Sequence, residues 1–187
     1  MVNIIVEKQK KVETEEIEMV ERKSLGHPDT LCDLVVEAAS QELSRHYLKN
    51  FGKVLHHNVD KGVLIGGRSK PKFGGGKILE PIKILIVGRV TDCVENKKID
   101  VKAIVKKAAF AKLKEVFKKN VEKYFRVSLE YQSGALNLKQ LIEEKTPLAN
   151  DTSFGVAHTP FSLAEKIALF SCQFLNSSFS FLGPDIK

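Results

Sequence analysis

The stretch from Pro28 to Gly52 constrains this chain more than any other. Leu31, Leu34, Val35, Ala38, Ala39, Leu43 and Tyr47 recur at three- and four-residue spacing, the period of a helix that buries one face. Both ends carry matching signals. Pro28 suits a first helical turn, where its missing N–H costs nothing. Gly52, after Asn50-Phe51, supplies a left-handed stop. A long amphipathic helix over this stretch is the first expectation.

The remaining segments mix both periods. Asn3–Val6 reads as a short strand. Val12–Val20, where Ile17 and Met19 alternate with acidic residues, reads as an edge strand. Val54–His57 and Val63–Gly67 read as two strands around the polar turn Asn58–Gly62, and Ile82–Val90 as a strongly apolar strand. Between them Arg68–Lys77 reads as a basic, glycine-rich loop. Val101, Ile104, Val105, Ala108 and Leu113 predict a helix over Asp100–Tyr124, followed by a weaker strand over Tyr124–Tyr131. A short helix is expected over Leu138–Lys145, ended at Pro147, and then a loop over Ala149–Pro160. Ser162 and Glu165 form a capping box at the start of a helix over Ser162–Asn176. No internal repeat or linker interrupts this mixture, which places the chain in the α+β class.

Bulk properties narrow the function. A chain of 187 residues can bury one core or two small ones. No apolar run approaches the roughly 20 residues of a membrane helix. The opening residues turn charged without a cleavable apolar core, so the cytoplasm is the expected compartment. Cys32, Cys93 and Cys172 form no CxxC pair and are expected to be free thiols. The net charge of +7 favours anionic partners. Much of that excess lies in Lys97–Lys123, however, where lysines punctuate an apolar pattern as on the solvated face of a helix. No aromatic platform or nucleic-acid motif accompanies it, and no nucleic acid is expected as partner.

Chemistry concentrates in Gly26-His27-Pro28-Asp29, at the start of the first helix. A helix N-terminus offers unpaired N–H groups and a positive dipole end, which suit phosphate. Asp29 supplies a hard oxygen for magnesium, and His27 a hydrogen bond or a positive charge. The same residues also make a plain helix cap, and on their own they leave both readings open. His56, His57 and Asp60 do not favour a metal site, because adjacent strand residues point to opposite faces. Phe73-Gly74-Gly75-Gly76, flanked by Lys70, Lys72 and Lys77, is not a Walker loop. Its glycines give either mobility and close backbone approach or a tight hairpin.

Company favours a phosphate site at the Gly26–Asp29 turn. VERKSLGHPDTLCDLVVEAAS, LHHNVDK, LIGGRSKPKFGGGK and PLANDTSFGV follow one another here in an order and spacing similar to those of archaeal-type S-adenosylmethionine synthetases (methionine adenosyltransferases). The chain resembles the amino-terminal part of that family. The resemblance implies a mostly antiparallel sheet with helices packed on one face. It implies the synthesis of S-adenosylmethionine from ATP and L-methionine, with release of phosphate and diphosphate and a need for magnesium and potassium. Carried over by position, Gly26 and His27 belong to the triphosphate site, and Asp29 ligates magnesium. Asp151 engages the methionine amino group with Phe154 nearby, and Lys187 stabilises the phosphate chain. Phe73–Gly76 matches a family loop.

The resemblance also implies subunits paired through their flat sheet faces, as a homodimer. Residues 1–148 correspond to a first sheet-and-helix unit and 149–187 to the start of the next. Three departures accompany the match. Family members are about twice as long and carry further phosphate-binding cations in their second half. Val156-Ala157-His158 stands where a Gly-Tyr usually follows the valine, and Gln132-Ser133-Gly134 keeps only part of a family stretch. Two expectations follow: a fragment or half-gene product that works with a complementary carboxy-terminal half, or a shortened non-catalytic paralogue that serves a full-length synthetase as regulatory or assembly subunit. In either case apolar surface should be left exposed.

Overall fold

The chain is described here by a computed structural model covering residues 4–8, 10, 14–94, 96–118, 120–133, 158–179 and 181–185. The first helix, α1 (Pro28–Phe51), has His27 as N-cap and Gly52 as a left-handed C-cap at φ 70°. Its buried residues Leu31, Val35, Ala39, Leu43 and Tyr47 step by four. Leu31, Val35 and Leu43 each contribute about 1.5–3 kcal/mol when removed from water, and the small Ala39 less. This stripe covers β1 (His57–Ile65) and packs against α2 (Val101–Phe117).

The central sheet has the order β1–β4–β7, with β4 over Ile82–Val90 and β7 over Phe125–Ser133. β1 runs antiparallel to β4, and β4 runs parallel to β7. A parallel pair needs a long crossover, which here includes α2, the short strands β5 (Cys93–Val94) and β6 (Lys97–Lys98), and the single turn α3 (Val121–Tyr124). The other two pairings, β2 (Arg68–Lys72) with β3 (Gly75–Glu80) and β5 with β6, are antiparallel. The α+β expectation, with helices on one face of an antiparallel-rich sheet, holds.

Both helices lie on the face that carries Ile84, Ile86, Val90, Phe125 and Leu129, all buried. Side chains alternate across a sheet, so Val63, Ile65, Leu85 and Val87 point away from the helices, and Val63 and Ile65 are about half exposed.

Several sequence expectations give way. Residues 4–8 form no strand, nor do residues 14–20, and Ile4, Val6, Ile17 and Met19 are exposed. Among the described residues no strand pairs with either segment. The segments expected as two strands around Asn58–Gly62 are one strand, because a bulge between Asn58 and Lys61 absorbs the polar residues. The expected helix over Asp100–Tyr124 breaks after Phe117, where Lys118 and Asn120 adopt positive φ. Arg68–Lys77 belongs to the β2–β3 hairpin rather than to an irregular loop, with Gly74 at φ 73° in its turn. Leu138–Lys145 lies outside the described residues.

The last helix, α4 (Leu163–Ser178), has the capping box that its sequence promised. Ser162 Oγ accepts from the Glu165 N–H at 3.1 Å, and Glu165 Oε2 accepts from the Ser162 N–H at 2.7 Å. That N–H, and then His158, hold the Glu165 carboxyl below the usual glutamate range. A carboxylate depressed in the fold stabilises it above the ordinary pKa of 4.5 and loses that contribution as pH falls below it. The first turn of α4 should therefore fray on acidification below that value. The far-UV helix signal of Glu165→Gln, which keeps the box without a titrating group, should show a weaker acid dependence. Leu163, Ile167, Phe170 and Phe174 form one stripe on α4, and each is more than half exposed. The expected exposed apolar surface is found there.

Candidate active site

The turn before α1 is held from two directions. Locally, the His27 N–H donates to the Ser24 carbonyl at 3.1 Å, and Ser24 is buried. From far along the chain, Pro184 accepts the Gly26 N–H at 2.9 Å, and Ser24 Oγ donates to Asp185 Oδ1 at 3.4 Å. A Cβ on Gly26 would lie 2.6 Å from Asp185 N and from the Pro184 carbonyl carbon. Glycine is required here by close approach of backbone, with Pro184-Asp185 seated where a side chain would be.

His27 then caps the helix with its ring. The Asp29 N–H donates to His27 Nδ1 at 3.2 Å. An Nδ1 that accepts carries no proton, so the neutral ring holds its proton on Nε2. Cap and phosphate contact are thus compatible roles for one side chain: Nδ1 serves the helix, and Nε2–H remains to donate. The imidazole is about one-quarter exposed, while the Asp29 carboxylate at the positive helix end is 62% exposed. Lys23 Nζ lies 2.5 Å from Asp29 Oδ2 and His27 Nδ1 lies 4.0 Å from the same oxygen. The hydrogen bond from Lys23, and then its charge, hold the Asp29 carboxyl below the usual range; Asp29 in turn pushes the Lys23 ammonium up.

A cleft of about 380 Å³ opens beside Asp29, lined by Cys32 and Asp33 of α1 and by Gly62 and Leu64 of β1. Burial, then the Asp33 and Asp29 carboxylates, push the Cys32 thiol up. That shift disfavours the thiolate, and Cys32 stands here as a lining group of the cleft. The β2–β3 hairpin leaves the sheet between Ile65 and Ile82, at the end of β1 that lines this cleft. Phe73 at its tip is fully exposed, and Lys70, Lys72 and Lys77 are exposed around Gly74-Gly75-Gly76.

The histidine pair is placed elsewhere. His57 Nδ1 is 2.9 Å from the Leu55 carbonyl, and Nε2 is 3.1 Å from Ser40 Oγ and 3.3 Å from Ser44 Oγ. A carbonyl can only accept, so His57 carries its proton on Nδ1 and Nε2 accepts from the serines. Ser44 is four turns along α1 from Asp29, roughly 20 Å at 1.5 Å per residue. His57 is a packing residue between α1 and β1. His56 is buried, and its carbonyl accepts from the Thr91 N–H and hydroxyl.

The structure thus brings Gly26, His27 and Asp29 together and sets the hairpin at the same end of the sheet. Asp151, Phe154 and Lys187 lie outside the described residues. Sequence reading missed Lys23 and gave Asp185 no role. The first stands six residues before Asp29 across a tight turn, a spacing that has no helical or strand period. The second meets Ser24 only through tertiary structure.

Among the described residues no group of three or more His, Cys, Asp and Glu could hold a metal ion. A closed protein cage is not what magnesium requires, since it commonly binds one or two carboxylates together with phosphate and water. The exposed Asp29 carboxylate at the amino-terminal end of α1 fits that mode. No helix among the described residues is long and apolar enough to cross a membrane.

Comparison with known proteins gives one consistent result. The sequence model of the S-adenosylmethionine synthetase (AdoMet synthetase) family matches residues 2–187. An S-adenosylmethionine synthase of Aeropyrum pernix is 44% identical over 95% of this chain and 47% of its own length. That of Picrophilus torridus is 42% identical over 99% of this chain and 48% of its own. For Methanocaldococcus jannaschii the values are 40%, 100% and 50%. The chain spans about half the length of the curated relatives it matches.

Proposed function

The chain belongs to the S-adenosylmethionine synthetase family, and from that premise we propose that it supplies the amino-terminal part of a site that makes S-adenosylmethionine from ATP and L-methionine. In that reaction the methionine sulfur forms a bond to the ribose C5′ and the triphosphate leaves with the bonding electrons. Hydrolysis then yields phosphate and diphosphate. A neutral sulfur needs no general base. What is needed is alignment, and positive charge where the leaving group's charge develops.

The observation that carries this reading is the divided use of His27. Its Nδ1 is committed to the helix cap, so Nε2–H is fixed as the donor toward a phosphate oxygen. Asp29 holds magnesium, which when bound offsets phosphate charge. Gly26 lets the Pro184-Asp185 segment lie against the turn, and in our reading Lys187, two residues on, adds its ammonium to the phosphate chain. Asp151 and Phe154 bind methionine, and Phe73–Gly76 borders the site. Potassium is required without an assigned ligand here. We take residues 1–148 as the first unit and 149–187 as the start of the second. The outward sheet face with Val63 and Ile65 serves for self-association, and the reaction belongs to the cytoplasm. The exposed apolar stripe of α4 supports packing against a complementary carboxy-terminal half.

The test is product formation from ATP and methionine with magnesium and potassium. The chain alone should make no S-adenosylmethionine, and addition of a polypeptide equivalent to the relatives' second half should restore it. His27→Ala should weaken magnesium-dependent ATP binding roughly tenfold, the loss of one hydrogen bond to a charged group. Unchanged affinity removes the turn from the site. No product in either mixture, with stoichiometric binding to a full-length synthetase, replaces this reading with that of a non-catalytic subunit.

A further inference from the structure

Lys23 and Asp29 close the mouth of the turn on each other. Their separation of 2.5 Å spans a segment whose own geometry is fixed, because Ser24 is buried and both His27 N–H and Gly26 N–H are hydrogen-bonded. The backbone of Lys23 is therefore anchored one residue from a rigid turn, while its side chain remains 44% exposed and its partner 62% exposed. An ammonium is a compact charge on a flexible four-carbon stem with three donors. A carboxylate oxygen that accepts from it cannot give the same lone pair to a divalent ion, and two cations crowded onto one carboxylate repel.

We propose that Lys23 is an exchangeable counter-ion. It neutralises Asp29 while the site is empty, and it moves to a phosphate oxygen of the polyphosphate when Asp29 turns to a divalent cation. The exchange involves no covalent step. It leaves Asp29 paired throughout and delivers one positive charge to the phosphate chain at the moment of binding. This rests on the reading of Asp29 and His27 as a magnesium–triphosphate site. It adds a positioning residue that serves the ligand-free and the liganded states differently.

The exchange predicts effects of opposite sign. In Lys23→Met, manganese ion alone, followed by loss of its free-ion paramagnetic resonance signal, should bind about twofold to fivefold tighter, the range for releasing an exposed ion pair. Magnesium tripolyphosphate, followed by calorimetry, should bind the same variant roughly tenfold more weakly, because one hydrogen bond to a charged group is lost. Lys23→Arg should bind manganese more weakly than the natural chain, since a guanidinium grips a carboxylate through two parallel bonds and releases it less readily. A lysine that only braced the turn would move both affinities of Lys23→Met in the same direction, and that outcome, or no change in either, overturns the exchange. Asp29→Asn separates the two levels. If it leaves both probes unaffected, the site itself is wrong and the exchange falls with it. If it abolishes manganese binding while Lys23→Met shows no opposed shift, the site stands and Lys23 has no such role. Far-UV spectra of each variant confirm that α1 is intact.

Discussion

Gly88→Ala is expected to destabilise the chain by about 3 kcal/mol or more, the upper range for overpacking a filled core. Gly88 lies in β4 opposite the bulge of β1, between the register pairs Asn58–Arg89 and Lys61–Val87. The bulge brings β1 backbone over the position where a side chain would stand. A Cβ at Gly88 would lie 2.0 Å from the Asn58 carbonyl oxygen and 2.8 Å from Val59 Cα. Both are main-chain atoms, so no rotamer change relieves the clash, and the β1–β4 pairing must open. For a domain of this size the melting temperature should drop by roughly 6–12 °C. Gly66→Ala is the control, because a Cβ there meets nothing within 4 Å. Equal thermal unfolding of the two variants would show that the bulge does not press on β4.

That bulge also marks where the sequence stopped being legible. Asn58, Asp60 and Lys61 interrupt the alternation of β1, and a break in period two reads like a turn between two strands. The chain passes straight through instead, because Val59 buries itself on the helix side while Asp60 and Lys61 face solvent. Features decided within a few residues were readable: Pro28 and Gly52 at the ends of α1, and the Ser162–Glu165 box. The helix break at Lys118–Asn120 was not, since Val116, Phe117 and Val121 continue the apolar spacing across it. Nor was the β2–β3 hairpin fully readable, because β2 carries no large apolar residue and the two of β3, Ile78 and Leu79, are adjacent and so leave no alternation to detect. The same division runs through the site. Local physics left Gly26-His27-Pro28-Asp29 open between a helix cap and a phosphate site, and only the company of the other motifs favoured phosphate. The demand for glycine at position 26 is set by residues 184 and 185, which no local pattern connects to it.

Gly26→Ala should consequently leave most of the fold in place and detach the chain's last described segment. The backbone of Gly26 is outside the left-handed region, so alanine can adopt the turn itself. The obstacle is tertiary. A methyl group would sit 2.6 Å from Asp185 N and the Pro184 carbonyl carbon and 2.9 Å from the Pro184 ring. The lighter and less enclosed partner must move. Displacing residues 183–185 breaks the Gly26–Pro184 bond and the Ser24–Asp185 bond while α1, the central sheet and α2 keep their contacts. Global stability should therefore change little beside the effect of Gly88→Ala. Hydrogen exchange at the residue-26 amide, whose acceptor is the Pro184 carbonyl, should rise sharply, and so should proteolysis at residues 183–185. If this segment delivers Lys187 to the phosphate chain, magnesium tripolyphosphate affinity should fall at least tenfold, by about the strength of one charge-assisted contact. Lost protection with unchanged affinity would make the segment a lid over the turn and remove Lys187 from the site. Unchanged protection would mean that Pro184-Asp185 does not rest on Gly26 in solution, and the two halves of the proposed phosphate cradle would then have to be brought together by another part of the assembly.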